Sequence, residues 1–231
     1  MKNIYIALII FLTGCAGQHN RLSPDHKRDA QYYVNSGYNF LSKQNLINAV
    51  EEFDKAITLC KEQYGNGEQA VFAARTPTES LYYMLIATAE SKNAVVIAST
   101  CADALYLKGY SVLELDKTEL AQSLLERAVA LSPNNSLYLS ELGHILHAKK
   151  SWQEALDVFI RSESAAKTYS PDDVKEQELT RAMRGVGYSL IELGRLDEAE
   201  KKYNECLKIN KNDEAAKQEL IYIKQLRDKS K

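Results

Sequence analysis

One glycine spacing constrains the fold of this chain more than any other feature. A glycine recurs four times, followed 12 residues later by Ala and 16 residues later by a large apolar side chain. The glycines are Gly37, Gly109, Gly143 and Gly187, and the large side chains are Phe53, Leu125, Phe159 and Tyr203. The interval from Gly109 to Gly143 is 34 residues, and the next interval is 44. A unit of this length predicts stacked helix pairs, because one pair alone cannot bury its apolar face.

The small residues of the pattern have a physical cause. They mark where the two helices of a unit approach closely, since a larger side chain would hold the backbones apart. The Leu, Phe and Tyr positions recur at helical period and fill the seam between units. With only 10 Gly and 4 Pro in 231 residues, the composition also favours helices.

The most regular copy, "MRGVGYSLIELGRLDEAEKKYNECLKINKND" at residues 183–213, resembles a tetratricopeptide repeat. The resemblance implies an all-α fold: a right-handed α-solenoid of antiparallel helix pairs. We expect four units, an irregular insertion, and a C-terminal capping helix. The units are residues 29–63, 102–135, 136–169 and 170–213; the insertion is 64–101, and the capping helix and tail are 214–231.

The last unit contains about ten extra residues before Gly187. Ser170 can cap a helix, and Pro171 suits the first helical position. We therefore expect an unusually long first helix in this unit, from Pro171 to about Leu193, which protrudes beyond its neighbours.

The insertion contains two segments that resemble each other, residues 69–83 and 93–107. Thr76 is followed three residues later by Glu79, and Thr100 by Asp103. This pattern is typical of a capping box, so we expect helices over about 77–91 and 101–115. The short segment before each helix either joins a two-stranded β element or forms an ordinary loop.

The N-terminus has the features of an export signal. The run at residues 4–12 is uninterrupted and apolar but too short to span a membrane as a helix. "LTGC" at residues 12–15 resembles the bacterial lipobox, which implies that residues 1–14 are removed, that Cys15 is lipidated, and that 15–28 form a flexible tether. An ordinary signal peptide cut near Cys15 is the alternative. The resemblance, with Ala16 and not Asp after the cysteine, implies a location at the outer membrane, facing the periplasm.

The remaining cysteines and histidines predict no cofactor or metal site. Cys60, Cys101 and Cys206 are too far apart in sequence for a ligand set; at most one pair can form a disulfide, and buried free thiols are the default. His144 and His147 share a helix face without a third ligand. A formal net charge of -2 gives no attraction to nucleic acid. We find no catalytic or phosphate-binding motif, so the chain is predicted not to be an enzyme.

The tetratricopeptide resemblance implies a partner-binding groove built from the first helix of each unit. Its ninth place holds Tyr38, Tyr110, His144 and Tyr188, and other groove places hold Asp103, Tyr106, His147, Arg181 and Arg184. We expect rings along the groove and two cations near its C-terminal end, an arrangement that suits a peptide or another protein. The alternative is that the rings only pack against neighbouring helices.

These features predict a non-catalytic scaffold, anchored to the membrane through lipid on Cys15, that binds another protein in the bacterial envelope as an adaptor or assembly factor. Two alternatives stay open. One is an immunity-type lipoprotein that occludes a toxin. The other is a small-ligand or enzymatic site formed by residues 64–101 against the groove.

Overall fold

The computed structural model describes residues 28–229 except residues 66 and 68. The signal peptide, the lipobox and nearly all of the tether lie outside these residues. In the described part of the chain, the elements are α1 (Ala30–Ser42), α2 (Leu46–Tyr64), β1 (Ala70–Ala74), α3 (Pro77–Ala89), β2 (Ala94–Ala98), α4 (Thr100–Leu113), α5 (Thr118–Leu131), α6 (Ser136–Ala148), α7 (Trp152–Tyr169), α8 (Lys175–Glu192), α9 (Leu196–Ile209) and α10 (Glu214–Lys229).

Successive helices pack in pairs, as the repeat predicts. The pairs are α1 with α2, α4 with α5, α6 with α7, and α8 with α9, and α10 packs on α9 and α8. The predicted all-α solenoid is confirmed. None of the helices described is long and apolar enough to cross a membrane.

The recurring glycines lie where the helices of a pair touch. A Cβ atom would lie 2.5 Å from the Phe53 ring at Gly37 and 2.6 Å from the Phe159 ring at Gly143. Such distances are shorter than any real Cβ contact, so the large ring requires the glycine. Gly109 is the exception, because a Cβ there would lie 3.4 Å from Leu125, at ordinary contact.

The insertion forms a βαβ unit. Of the two alternatives, a two-stranded β element and an ordinary loop, the β element is therefore the one present. Strands β1 and β2 pair in parallel, with Val71 opposite Val95. Parallel strands need a long crossover, and α3 supplies it. The sheet lies between α3 and the solenoid. On one face Phe72 stacks on Tyr83 of α3, with ring centroids 5.0 Å apart; next along the strand, Ala73 is fully buried in the main core.

One of the two predicted capping residues is confirmed. The Thr76 hydroxyl accepts a hydrogen bond from the Glu79 backbone N–H at 3.1 Å, and α3 begins at Pro77. The prediction for Thr100 is wrong, since Thr100 is already inside α4 and its hydroxyl contacts Gln31 at 2.6 Å. Ser99 precedes the helix instead.

The last unit does have a long first helix, with 18 residues against 13 or 14 in the other three units, but the helix does not begin at Pro171. Residues 171–174 form a turn, closed by a hydrogen bond from Val174 N–H to the Pro171 carbonyl at 3.1 Å, and α8 begins at Lys175. The extra length is shared, because α7 and α8 have 18 residues each. Their adjoining ends contact the insertion: the Arg75 guanidinium donates two hydrogen bonds to Glu178, at 2.7 and 3.1 Å.

Cys60 and Cys101 form a disulfide that joins α2 to α4 across the insertion. The default of three free thiols is therefore wrong for this pair. The sequence left the pairing open because connectivity depends on how the insertion folds back on the solenoid. Cys206 is a buried free thiol, as expected.

Candidate functional site

Five of the nine predicted groove residues line one open cavity of about 660 Å³. They are His144, His147, Arg181, Arg184 and Tyr188. The last three belong to α8 at helical spacing, which places them on one face of that helix. The first helices of neighbouring units therefore bring these side chains together.

Rings from two units pack around His147. Its ring centroid lies 4.9 Å from that of Tyr188 and 5.8 Å from that of Trp152, and its Nε2 lies 2.7 Å from the Ser189 hydroxyl oxygen. These contacts fix the imidazole. Sequence reasoning did not assign Trp152 to the groove, because it begins the second helix of its unit and reaches this cluster only through packing.

Both histidines are neutral at neutral pH. Burial lowers the pKa of His147 to about 4. For His144, burial and the Arg181 cation lower the pKa to about 4, with smaller effects of His147 and Arg184. The His144 side chain keeps a solvent-exposed edge, so this shift reflects the walls of the cavity around the ring. The cavity therefore presents uncharged imidazoles.

The two arginines are not the free cations that the sequence suggested. Arg181 pairs with Glu141, and Arg184 pairs with Asp213. Each arginine side chain remains 32% exposed. A guanidinium has five N–H donors, so each pair leaves donors free to face a ligand. The pairs orient the arginines and reduce the net positive charge of the cavity.

In the N-terminal half of the predicted groove, two of the predicted side chains pack within the protein and two are exposed. Tyr106 stacks on Tyr138 with ring centroids 5.2 Å apart, and the Tyr138 hydroxyl donates to Asp103 at 2.5 Å. Burial and the nearby Glu141 carboxylate raise the pKa of Tyr106. Thus Asp103 and Tyr106 serve mainly in packing, as the alternative reading held for the rings.

Tyr110 and Tyr38 remain exposed, by 39% and 61% of their surface. Neither lines the cavity. They are accessible on the same helices that carry the predicted groove, but the structure does not bring Tyr38 to the other site residues.

Helix α10 adds a wall that sequence reasoning treated only as a cap. Ala215 and Glu219 of this helix line the cavity, together with Gln177 of α8. Burial and the neighbouring Glu192 raise the pKa of Glu219. A signal was present in the sequence, since Glu219 lies among the apolar positions of an amphipathic helix.

A second open cavity, of about 630 Å³, lies between the second helices α7 and α9. Its Glu163 pairs with both Lys167 and Lys202. The Glu163 carboxylate is thus neutralised within the chain. Nowhere in the described residues do His, Cys, Asp or Glu side chains form a group that could hold a metal ion.

Family models for the tetratricopeptide repeat match residues 30–63, 101–171 and 185–213. These matches together cover more than half of the chain. The chain therefore belongs to the tetratricopeptide repeat family, whose fold is typical of scaffolds for protein-protein interaction.

Two solved structures illustrate the fold. The pilF protein of Pseudomonas aeruginosa superposes with a TM-score of 0.59 at 15% identity, over 87% of this chain and 70% of that one. MamA of Desulfovibrio magneticus RS-1 gives a TM-score of 0.57 at 14% identity, over 86% of this chain and 85% of that one. At such identities the likeness concerns the fold alone. No curated protein matches the chain.

Proposed function

We propose that this protein is a non-catalytic scaffold that binds a segment of another protein in the cavity between α6, α8 and α10. The observation that carries the proposal is the convergence of His144, His147, Arg181, Arg184 and Tyr188 on one open cavity. Rings with polar tips supply contact area at low entropic cost, and ordered guanidinium donors fix the orientation of a ligand.

The chemistry of the cavity indicates what kind of segment fits. The imidazoles are neutral, and the arginines are already paired with Glu141 and Asp213. A strongly acidic peptide would have to compete with those carboxylates. A segment with an apolar or aromatic side chain and backbone carbonyls that accept from the arginines is the better match.

We further propose that the scaffold is held at the periplasmic face of the outer membrane by lipid on Cys15. Support comes from the resemblance of residues 12–15 to a lipobox. Buried acyl chains hold a soluble domain on a bilayer without a spanning helix. The disulfide between Cys60 and Cys101 agrees with an oxidising compartment.

A site in the insertion has weaker support. Its Arg75 pairs with Glu178, and its Glu79 is fully buried and accepts from Tyr83 at 2.7 Å. Both side chains thus hold the insertion in place, and their polar groups are occupied by structural contacts that a ligand or substrate would have to break.

Affinity capture from solubilised envelopes tests the groove. His144→Ala combined with Tyr188→Ala removes two rings that line the cavity without breaking an ion pair. Arg184→Ala is avoided, because it would leave the buried Asp213 carboxylate unpaired. The matched control is Leu120→Ala with Ile160→Ala, two exposed side chains of the second helices.

We expect the groove variant to lose a partner that the wild type and the control both retain. Recovery of the same partners with all three proteins would refute the proposal that a partner binds in this cavity. The anchor is tested separately with a fatty-acid analogue. Label should appear on the wild type and be absent from Cys15→Ser, and label that persists on the variant would contradict lipidation at this cysteine.

A further inference from the structure

A small apolar cavity of about 190 Å³ lies beside the disulfide, between the sheet and helices α2, α4 and α5. Its apolar lining consists of Ile57, Cys60, Tyr64, Val71, Ile97, Cys101, Leu105 and Leu131. It is separate from the groove, since the two cavities share no residue.

The cavity follows from the way the insertion is built. Helix α2 has 19 residues, whereas the corresponding second helix α5 has 14. The last turn of α2 contains Lys61 and Tyr64, which line the cavity together with Val71 of β1 and Ile97 of β2. No other unit has a strand pair in this place among the described residues, so the cavity is particular to the insertion.

Two cations stand at this cavity, Lys61 from α2 and Arg127 from α5. Both are exposed, and within the described residues neither side chain takes part in an ion pair or hydrogen bond. In contrast, Arg75, Arg181 and Arg184 each pair with a carboxylate. The described lining contains no Asp or Glu. Within the described lining, no carboxylate competes with an anion for these two cations.

We propose that this cavity binds a medium-chain fatty carboxylate. The alkyl chain lies between the sheet and α2, and the carboxylate lies between Lys61 and Arg127. An apolar cavity of about 150 Å³ is known to hold benzene. The present cavity therefore has room for about six to eight carbons, which matches octanoate.

The test is a titration of the oxidised full chain with octanoate, followed by methyl NMR. We expect saturable shifts of the Ile57, Val71 and Leu131 methyl groups, with no change at Ile223, which is buried in α10 far along the chain. Octanol lacks the carboxylate and should bind at least about tenfold more weakly, and octylammonium should not bind. Equal binding of octanoate and octylammonium would overturn the proposal.

Two variants separate the parts of the site. Lys61→Gln with Arg127→Gln changes exposed side chains only and should raise the Kd for octanoate about tenfold while leaving that for octanol unchanged. Val71→Phe fills the cavity and should abolish binding of both. Unchanged octanoate binding by the glutamine variant would overturn the proposal, as would tighter binding of a peptide that ends in Leu-Phe, which would assign the site to a protein terminus.

Discussion

The repeat units and the insertion are held against their neighbours by different kinds of contact. Within a unit, a glycine meets a large side chain, and the contact is apolar, as at Gly143 and Phe159. The insertion is fixed by a disulfide and by polar groups away from water, above all Arg75 and Glu178. A repeated seam needs only shape, because each copy offers the same surface to the next. The insertion occurs only once and has no repeated surface to pack against, so specific polar contacts hold it in one place.

The polar contacts of the insertion form one connected set. The fully buried Glu79 carboxylate accepts from the Arg75 backbone N–H at 2.7 Å and from the Tyr83 hydroxyl at 2.7 Å. The same hydroxyl accepts from the Asn134 backbone N–H at 3.0 Å, in the turn between α5 and α6. The set therefore ties α3 to the turn between α5 and α6.

The largest effect in this comparison is expected for Glu178→Ala. It leaves the Arg75 guanidinium, whose side chain is 14% exposed, without its partner. Breaking a buried pair on one side costs about 3–5 kcal/mol of stability. Urea unfolding should show this loss, and hydrogen exchange should place it in residues 70–98. The double variant Arg75→Met with Glu178→Leu should regain much of the stability. A single variant as stable as the wild type would mean that shape alone holds the insertion.

Removal of the disulfide should have the next largest effect. Cys60→Ser with Cys101→Ser releases a loop with a sequence separation of 41 residues. A constraint of this size contributes about 2–4 kcal/mol to the free energy of unfolding. A reductant should lower the stability of the wild type by the same amount and leave the double variant unchanged. Equal stability of oxidised and reduced wild type would contradict the role assigned to this bond.

The packing of the regular units is tested by a matched pair of glycine variants. Gly143→Ala places a Cβ at 2.6 Å from the Phe159 ring, and overpacking of this kind costs about 1–3 kcal/mol. Gly109→Ala meets nothing closer than 3.4 Å, so it should be neutral, or stabilising by up to about 1 kcal/mol through helix propensity. The two melting temperatures should move in opposite directions or differ clearly. Equal losses would show that the glycine-ring contact is not what limits these positions.

The smallest expected effect is the change in stability with pH that the two histidines of the cavity cause. His144 and His147 have pKa values of about 4 in the folded chain, against an ordinary value of 6.5. Between these values the unfolded chain binds more protons, so stability falls as the pH drops from about 6.5 to about 4. We expect about 1 kcal/mol for each ring, because solvent screens their exposed edges. Melting curves at both pH values should show the loss, and it should be absent from His144→Asn with His147→Asn.

Sequence alone predicts the parts of this molecule that rest on local and periodic patterns. The glycine spacing predicts the helix pairs, and helical spacing on α8 predicts that Arg181, Arg184 and Tyr188 share a face. Contacts between distant segments leave no such pattern. Arg75 and Glu178 are 103 residues apart, and nothing in either neighbourhood indicates the other.

Contacts between distant segments also explain why the sequence predicts the candidate site only in part. The sequence identifies arginines suited to a ligand, but their pairing with Glu141 and Asp213 depends on how neighbouring units stack. It also shows two threonines in similar settings, at positions 76 and 100, although only the first caps a helix. Helix α4 begins one residue earlier than predicted, at Thr100, so Ser99 takes the position before the helix.

Site-specific photo-crosslinking tests the central claim, that the first-helix groove receives a partner, most directly. A photoreactive amino acid is placed at His144, in the cavity, and in a second protein at Ile160, which is 50% exposed on α7. In intact cells we predict a crosslink to a defined partner from position 144 and none to that partner from position 160. A partner that crosslinks from position 160 but not from position 144 would contradict the account and place the binding surface on the second helices.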